Sequence, residues 1–303
     1  MTTRDVKLNG MNLVFEDEGS GDPLVFFHGS MGSAGYWDVL VPLLLANYRC
    51  VRLEFPGHGR SDRSPVAAYG IDDQVDIAIQ FLAEVTGPCI VIGASAGAGT
   101  AFGAAARRPD LIKGIYSDDA YPGIYTGSWI RSSPYVNFFR VVGTVLRSMK
   151  PGYSVAEYAA ALGQARLGQA TMFDLQGPEF VAFFARLTAS TDHAFFDVVT
   201  NPDRFWTDDD VSSVVRGLRC PVHIAYGDPG QGSLVPVAQI DALADAGVDV
   251  TRTHFPGAGH AISPMFPAQS HADIKSFVER VSLGGSHNFL ADQDVARAAQ
   301  RRR

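Results

Sequence analysis

Between residues 88 and 120 the hydrophobic pattern changes period twice. Cys89 to Ile92 is a short apolar run without polar alternation, the pattern of a strand buried on both faces. Ala96 to Arg107 is rich in Ala and Gly, long enough for a helix, and stopped by Pro109. Leu111 to Ser117 returns to a strand pattern and ends on Asp118-Asp119. The same rhythm runs on either side. Upstream, Met11 to Asp17 and Leu24 to Phe27 read as strands split by a Gly/Pro turn, Tyr36 to Ala46 as a helix, Cys50 to Phe55 as a strand and Ile71 to Val85 as an amphipathic helix. Downstream, strands at Val222 to Tyr226 and Val248 to Phe255 alternate with helices at Val235 to Ala246 and Pro264 to Val281. Strands alternating with helices predict an α/β fold, a parallel sheet wrapped on both faces.

The rhythm breaks from Ala120 to Trp206. That stretch shows helical patterns and no clear strand: Tyr135 to Met149, a capping box at Ser154-Val155-Ala156-Glu157, and a further helix opened by Pro178. It also concentrates large aromatics, among them Phe138, Phe139, Phe173, Phe180, Phe183, Phe184, Phe195, Phe196, Phe205 and Trp206. Because the alternation resumes afterwards, an inserted lid over 120–206 is expected, on a core formed by 1–119 and 207–283, with a polar tail at 284–303. Most of the phenylalanines are needed simply to pack such a lid; the remainder point to an apolar small-molecule substrate.

Composition narrows the partners. At 303 residues and 46% hydrophobic, the chain can bury a large core. A net charge of −7 argues against a nucleic-acid partner. No apolar run approaches the roughly 20 residues of a membrane-spanning helix, and Met1 to Asn9 lacks a secretory signal's apolar core. Cys50, Cys89 and Cys220 each lie near the start of a strand and read as reduced core residues, so a cytoplasmic location is expected. The sequence is silent on oligomeric state.

The chemistry gathers at the first motif. Gly93-Ala94-Ser95-Ala96-Gly97 matches Gly-x-Ser-x-Gly between a buried strand and a helix. A turn that sharp needs small neighbours, and it presents the serine in a strained conformation at the carboxyl end of the sheet. Ser95 is therefore the candidate nucleophile, against the plain alternative of small residues meeting by chance. A hydroxyl at neutral pH needs a base, and the base needs an orienting acid. His260, in Gly257-Ala258-Gly259-His260, is the candidate base; His193, His223, His254 and His271 lack such a setting and read as structural or surface groups. No histidine pair has metal-ligand spacing, so neither metal nor cofactor is expected.

His28-Gly29, Pro56-Gly57-His58-Gly59-Arg60-Ser61-Asp62, Gly93-Ala94-Ser95-Ala96-Gly97 and Gly257-Ala258-Gly259-His260, in that order, resemble the α/β-hydrolase superfamily over nearly the whole chain. The resemblance implies a mostly parallel eight-stranded sheet with an inserted helical lid. It implies an oxyanion hole from the backbone N–H groups of Ser30 and Ala96, and loop-shaping roles for His28 and His58. It leaves two acids. Most members carry theirs after the strand equivalent to Val222–Tyr226, where Asp228 stands displaced by two residues. Zearalenone lactonases and some haloalkane dehalogenases carry theirs where Asp119 falls, and the side chain of neighbouring Asp118 should face the other way. The implied activity is a serine hydrolase cleaving an ester or lactone through an acyl-enzyme. A carbon–carbon bond hydrolase, a cofactor-free perhydrolase or cyclase, and a non-turnover ligand-binding protein remain alternatives on the same triad.

Overall fold

Asn9 and Gly10 (φ 47° and 80°) fold the first strand, β1 (Thr2–Leu8), straight back onto β2 (Met11–Gly19). Two consecutive left-handed residues make the two-residue hairpin that Asn-Gly favours. The structure, a computed structural model, describes residues 2–284; beyond Gly284 the expected polar tail lies outside the described residues. The chain continues through β3 (Pro23–Phe27), α1 (Val41–Leu44), β4 (Arg49–Leu53), α2 (Ile71–Phe81), β5 (Cys89–Ala94), α3 (Ala96–Arg107) and β6 (Ile112–Asp118). Next come α4 (Gly127–Ser132), α5 (Tyr135–Ser148), α6 (Val155–Gln164), the short strands β7 (Arg166–Leu167) and β8 (Ala170–Thr171), α7 (Met172–Thr188) and α8 (His193–Val199). It closes with α9 (Asp208–Gly217), β9 (Val222–Tyr226), α10 (Val237–Asp245), β10 (Val250–His254), α11 (Ile262–Met265) and α12 (Pro267–Ser282).

Eight strands form one sheet in the order β1-β2-β4-β3-β5-β6-β9-β10. Only the β1–β2 and β2–β4 pairs are antiparallel; the other pairs are parallel. Successive side chains of a strand face opposite sides. Val25, Phe27 and Val91 accordingly pack with α2, α3, α9 and α10, whereas Leu24, Phe26, Ile90 and Ile92 pack with α1, α11 and α12. Cys50, Cys89 and Cys220 are free and buried.

The expected helix over residues 36–46 is replaced by a 3₁₀ turn, Ala34–Trp37, and the single turn of α1. Pro42 tolerates only the first turn of a helix, so a continuous one cannot run through it. In the aromatic stretch, β7 and β8 form a small hairpin where no strand was expected. The helices there share their own apolar cluster with Met31 and Tyr69. Trp206 departs from it, packing into the core beneath the sheet and donating to Asp72 (2.9 Å). Gly127 N–H donates to Trp206 O (2.8 Å), pinning the two ends of the stretch together. α7 is broken at Gly177 (φ 76°), and Pro178 opens its second half as the sequence suggested. Among the described residues no helix is long and apolar enough to cross a membrane.

Candidate active site

The turn from β5 into α3 is crowded enough to dictate its glycines. A Cβ on Gly93 would lie 2.5 Å from Ala98 Cα, and one on Gly97 would lie 2.1 Å from Phe27 O. Both distances are shorter than any tolerable contact. Ser95 between them takes φ 49°, ψ −115°, a strained conformation for a residue with a side chain. Its N–H donates to Asp118 O (3.2 Å), and Ala96 opens α3. The N–H of Ala96 therefore has no acceptor within the helix, and the positive end of the helix dipole lies beside the serine.

The loop after β3 runs against this turn. A Cβ on Gly29 would meet Ser95 Cβ at 3.1 Å. His28 and His58 shape the loop from behind: His28 Nε2 accepts from Phe55 N–H (3.1 Å) and His58 Nε2 from Met31 N–H (3.2 Å). Their Nδ1 atoms face the carbonyls of Gly29 and Pro56 at 2.8 and 2.9 Å. Burial pushes His28 down to about 4 and His58 to about 3, so both rings are neutral acceptors at ordinary pH.

At the end of β6 the chain turns through Asp119 (φ 52°), which is fully buried. Its Oδ2 lies 2.7 Å from His260 Nδ1 and accepts from Leu234 N–H (2.9 Å); its Oδ1 accepts from Ser233 Oγ–H (2.5 Å). With Nδ1 engaged by the carboxylate, Nε2 is the acceptor in neutral His260. Asp118, on the opposite side, accepts from Tyr36 O–H and Ser263 N–H, both at 3.1 Å, and burial raises it to about 6. Asp228 does not reach His260. Its carboxylate pairs with His254 Nε2 and accepts from Gly257 N–H, each at 2.7 Å, tying down the loop that leads to the histidine. The Gly257 N–H, then His254, hold Asp228 below the usual carboxylate range. The structure thus brings Ser95, Ser30 and His260 to one cavity, with Asp119 behind His260, and leaves Asp228 outside.

That cavity measures about 720 Å³. Ser95, Ser30 and His260 are among its polar groups, and Phe138, Phe180, Phe183, Phe184, Trp129 and Tyr135 are among its aromatic walls. Among the described residues no Lys, Arg, Asp or Glu lines it. Arg186 instead lies over the Phe183 ring, 5.9 Å from its centroid, without lining the cavity. Ring contacts run unbroken from Tyr36 through Phe183, Phe180, Phe184, Phe138 and Tyr135 to His260. Sequence reasoning missed Ser233, Leu234 and Tyr135, since nothing near them in the chain marks them. Among the described residues no group of three or more His, Cys, Asp or Glu side chains is placed to hold a metal ion.

A sequence model of the alpha/beta hydrolase family matches residues 24–274. A 2-(acetamidomethylene)succinate hydrolase from Mesorhizobium japonicum is 23% identical over 287 residues, covering 91% of this chain and 95% of that protein. An (E)-2-((N-methylformamido)methylene)succinate hydrolase from Acinetobacter baylyi is 32% identical over 106 residues, 35% of this chain and 40% of that protein. Among solved structures, a carboxylesterase of Nitrososphaera gargenis shares the fold with a TM-score of 0.74 at 20% identity, covering 94% of this chain and all of that one.

Proposed function

The chain belongs to the alpha/beta hydrolase family, and from that premise we propose that it is a serine hydrolase acting on esters or lactones of uncharged, apolar small molecules. The observation that carries this reading is the Asp119–His260 contact of 2.7 Å beside a cavity that also holds Ser95 on its strained turn. Ser95 Oγ attacks the substrate carbonyl carbon while His260 Nε2 takes its proton. Asp119 keeps the imidazole in the tautomer this requires and steadies the imidazolium. The carbonyl oxygen, now an oxyanion, is held by the N–H groups of Ala96 and Ser30, each worth on the order of 3 kcal/mol to the transition state. The next N–H in the loop, that of Met31, is already committed to His58. Collapse breaks the bond to the leaving oxygen, which takes the proton from His260; in a lactone it stays tethered to the acyl group. A water then gives its proton to His260 and attacks the acyl carbon; the bond to Ser95 Oγ breaks, and the oxygen takes that proton back from His260, which restores both groups.

Residues 120–206 act in this reading as the lid that roofs the site. The relative from Mesorhizobium japonicum is named for a succinate, whose carboxylates call for cations. Among the described residues no Lys or Arg lines this cavity, and a carboxylate buried without a partner is strongly penalised. The substrate is accordingly placed among neutral compounds. The deciding experiment follows products from a panel of neutral esters and lactones graded in chain length and ring size. Multiple turnover supports the reading; stoichiometric labelling of Ser95 by an organophosphate with no turnover on any member makes the protein a ligand binder.

A further inference from the structure

Resting on the assignment of Ser95, His260 and Asp119 just made, we propose that Tyr135 is a positioning residue through which the inserted helices hold His260 in line with Ser95. Tyr135 is the first residue of α5 and touches both halves of the histidine–carboxylate pair's support. Its ring meets the His260 ring edge to face, with centroids 5.7 Å apart at 66°. Its hydroxyl donates to Gly232 O (2.9 Å), and the next two residues, Ser233 and Leu234, are the ones that donate to Asp119. One side chain therefore braces the base and the loop that anchors its acid.

The geometry explains why a brace is needed. An imidazole tethered at Nδ1 by one hydrogen bond can still swing about that bond, carrying Nε2 away from the nucleophile. A second ring packed against it at a steep angle removes that freedom. Tyr135 is itself held by Trp129, stacked at 6.4 Å, and by Phe138 at 6.2 Å. Burial lifts its hydroxyl to about 12, so it remains a proton donor to Gly232 throughout the working pH range. Opening or loosening of α5 would then disable the base as well as uncover the cavity.

The test compares Tyr135→Leu, Tyr135→Phe and Tyr153→Leu with the parent, using hydrolysis of a short neutral ester and the rate of Ser95 phosphorylation by diisopropyl fluorophosphate. Tyr153 serves as the control because it belongs to the same helical cluster, bonds Ala189 O and does not line the cavity. Tyr135→Leu is expected to lower kcat and the phosphorylation rate together by about 10- to 100-fold, the effect of misplacing a reacting group by about an ångström, while KM moves little. Tyr135→Phe, which keeps the ring, recovers most of that loss, and Tyr153→Leu is phosphorylated at the parental rate. Should Tyr135→Leu give no cooperative melt, Tyr135→Met takes its place with the same expectation. A parental phosphorylation rate in Tyr135→Leu, a change confined to KM, or a Tyr135→Phe as impaired as Tyr135→Leu overturns the proposal. Unimpaired turnover by Ser95→Ala is a different result: it removes the nucleophile assignment on which the proposal stands.

Discussion

Asp119 Oδ2 lies 2.7 Å from His260 Nδ1, although 141 residues of chain separate the two. Asp119 reaches this place from the end of β6, a strand that pairs directly with the strand leading to Ser95. Of the two carboxylates available, this one alone contacts the histidine. Asp119→Asn is therefore predicted to lower kcat by about three to four orders of magnitude, as misorienting the histidine does in the serine-protease triad. Asp228→Asn is predicted to lower the melting temperature, with a far smaller fall in kcat. Paired kinetics and melts on the two variants decide it, and the reverse ranking moves the acid to Asp228.

For the nucleophile, Ser95→Ala is predicted to abolish turnover with the fold intact, because alanine is no larger than the serine the turn already accommodates. His260→Ala should lose a comparable factor. Groups that act as a unit do not add, so the double variant should be little worse than either single one. Activity within about tenfold of the parent in Ser95→Ala, against the several orders expected for a triad nucleophile, removes Ser95 from the mechanism.

The uncharged cavity makes a prediction about substrates. A neutral ester should be preferred over the same ester carrying a carboxylate on its acyl chain by at least about a hundredfold in kcat/KM, since burying an unpaired charge costs on the order of 3 kcal/mol or more. Phe180→Arg should narrow that ratio by placing a cation on the wall. Equal rates on the two parent substrates refute the neutral-substrate reading.

A further prediction concerns acid. His28 and His58 fall from the usual 6.5 to about 4 and about 3 through burial. Between pH 6.5 and those values the unfolded chain binds protons that the folded chain refuses, so stability falls as pH falls. Asp118 works the other way: raised to about 6, it holds a proton in the folded state that the unfolded chain releases, so its contribution is lost as pH rises from 3.8 to 6. Two histidines outweigh one acid. Melting temperature should accordingly drop between pH 6.5 and 4, and His58→Gln, which keeps an acceptor for Met31 N–H, should drop less steeply. A flat profile in the parent would mean that the two rings are not held neutral.

The core was readable wherever neighbouring residues determine one another. The buried β5, the small residues of the elbow and the stop at Pro109 lie within some twenty positions of Ser95, and local sterics fixes them. The Ser154 capping box forms as read, its hydroxyl accepting from Glu157 N–H at 3.2 Å. Some signals went unused: Asn9-Gly10 announces the β1–β2 hairpin, and Thr207 with Asp210 caps α9 by the same reciprocal bonds as Ser154. Others were never there to read. Ser233 and Leu234 become donors to Asp119 only because β6 and β9 lie side by side in the sheet. Tyr135 reaches His260 only through the placement of an entire helix. Such residues are ordinary in the chain and acquire a role only from the fold.

The break in α7 at Gly177 has a consequence for divergence. Met172 and Gln176 line the cavity from before the break, Phe180, Phe183, Phe184 and Leu187 from after it. The two halves share no continuous ladder of backbone hydrogen bonds through Gly177 and Pro178. Descendants of this chain can therefore lengthen, shorten or reorient one half while the other keeps its register. Substrate range in such a lineage would drift faster than the bond-breaking chemistry, and closely similar catalytic floors would come to serve unrelated metabolites.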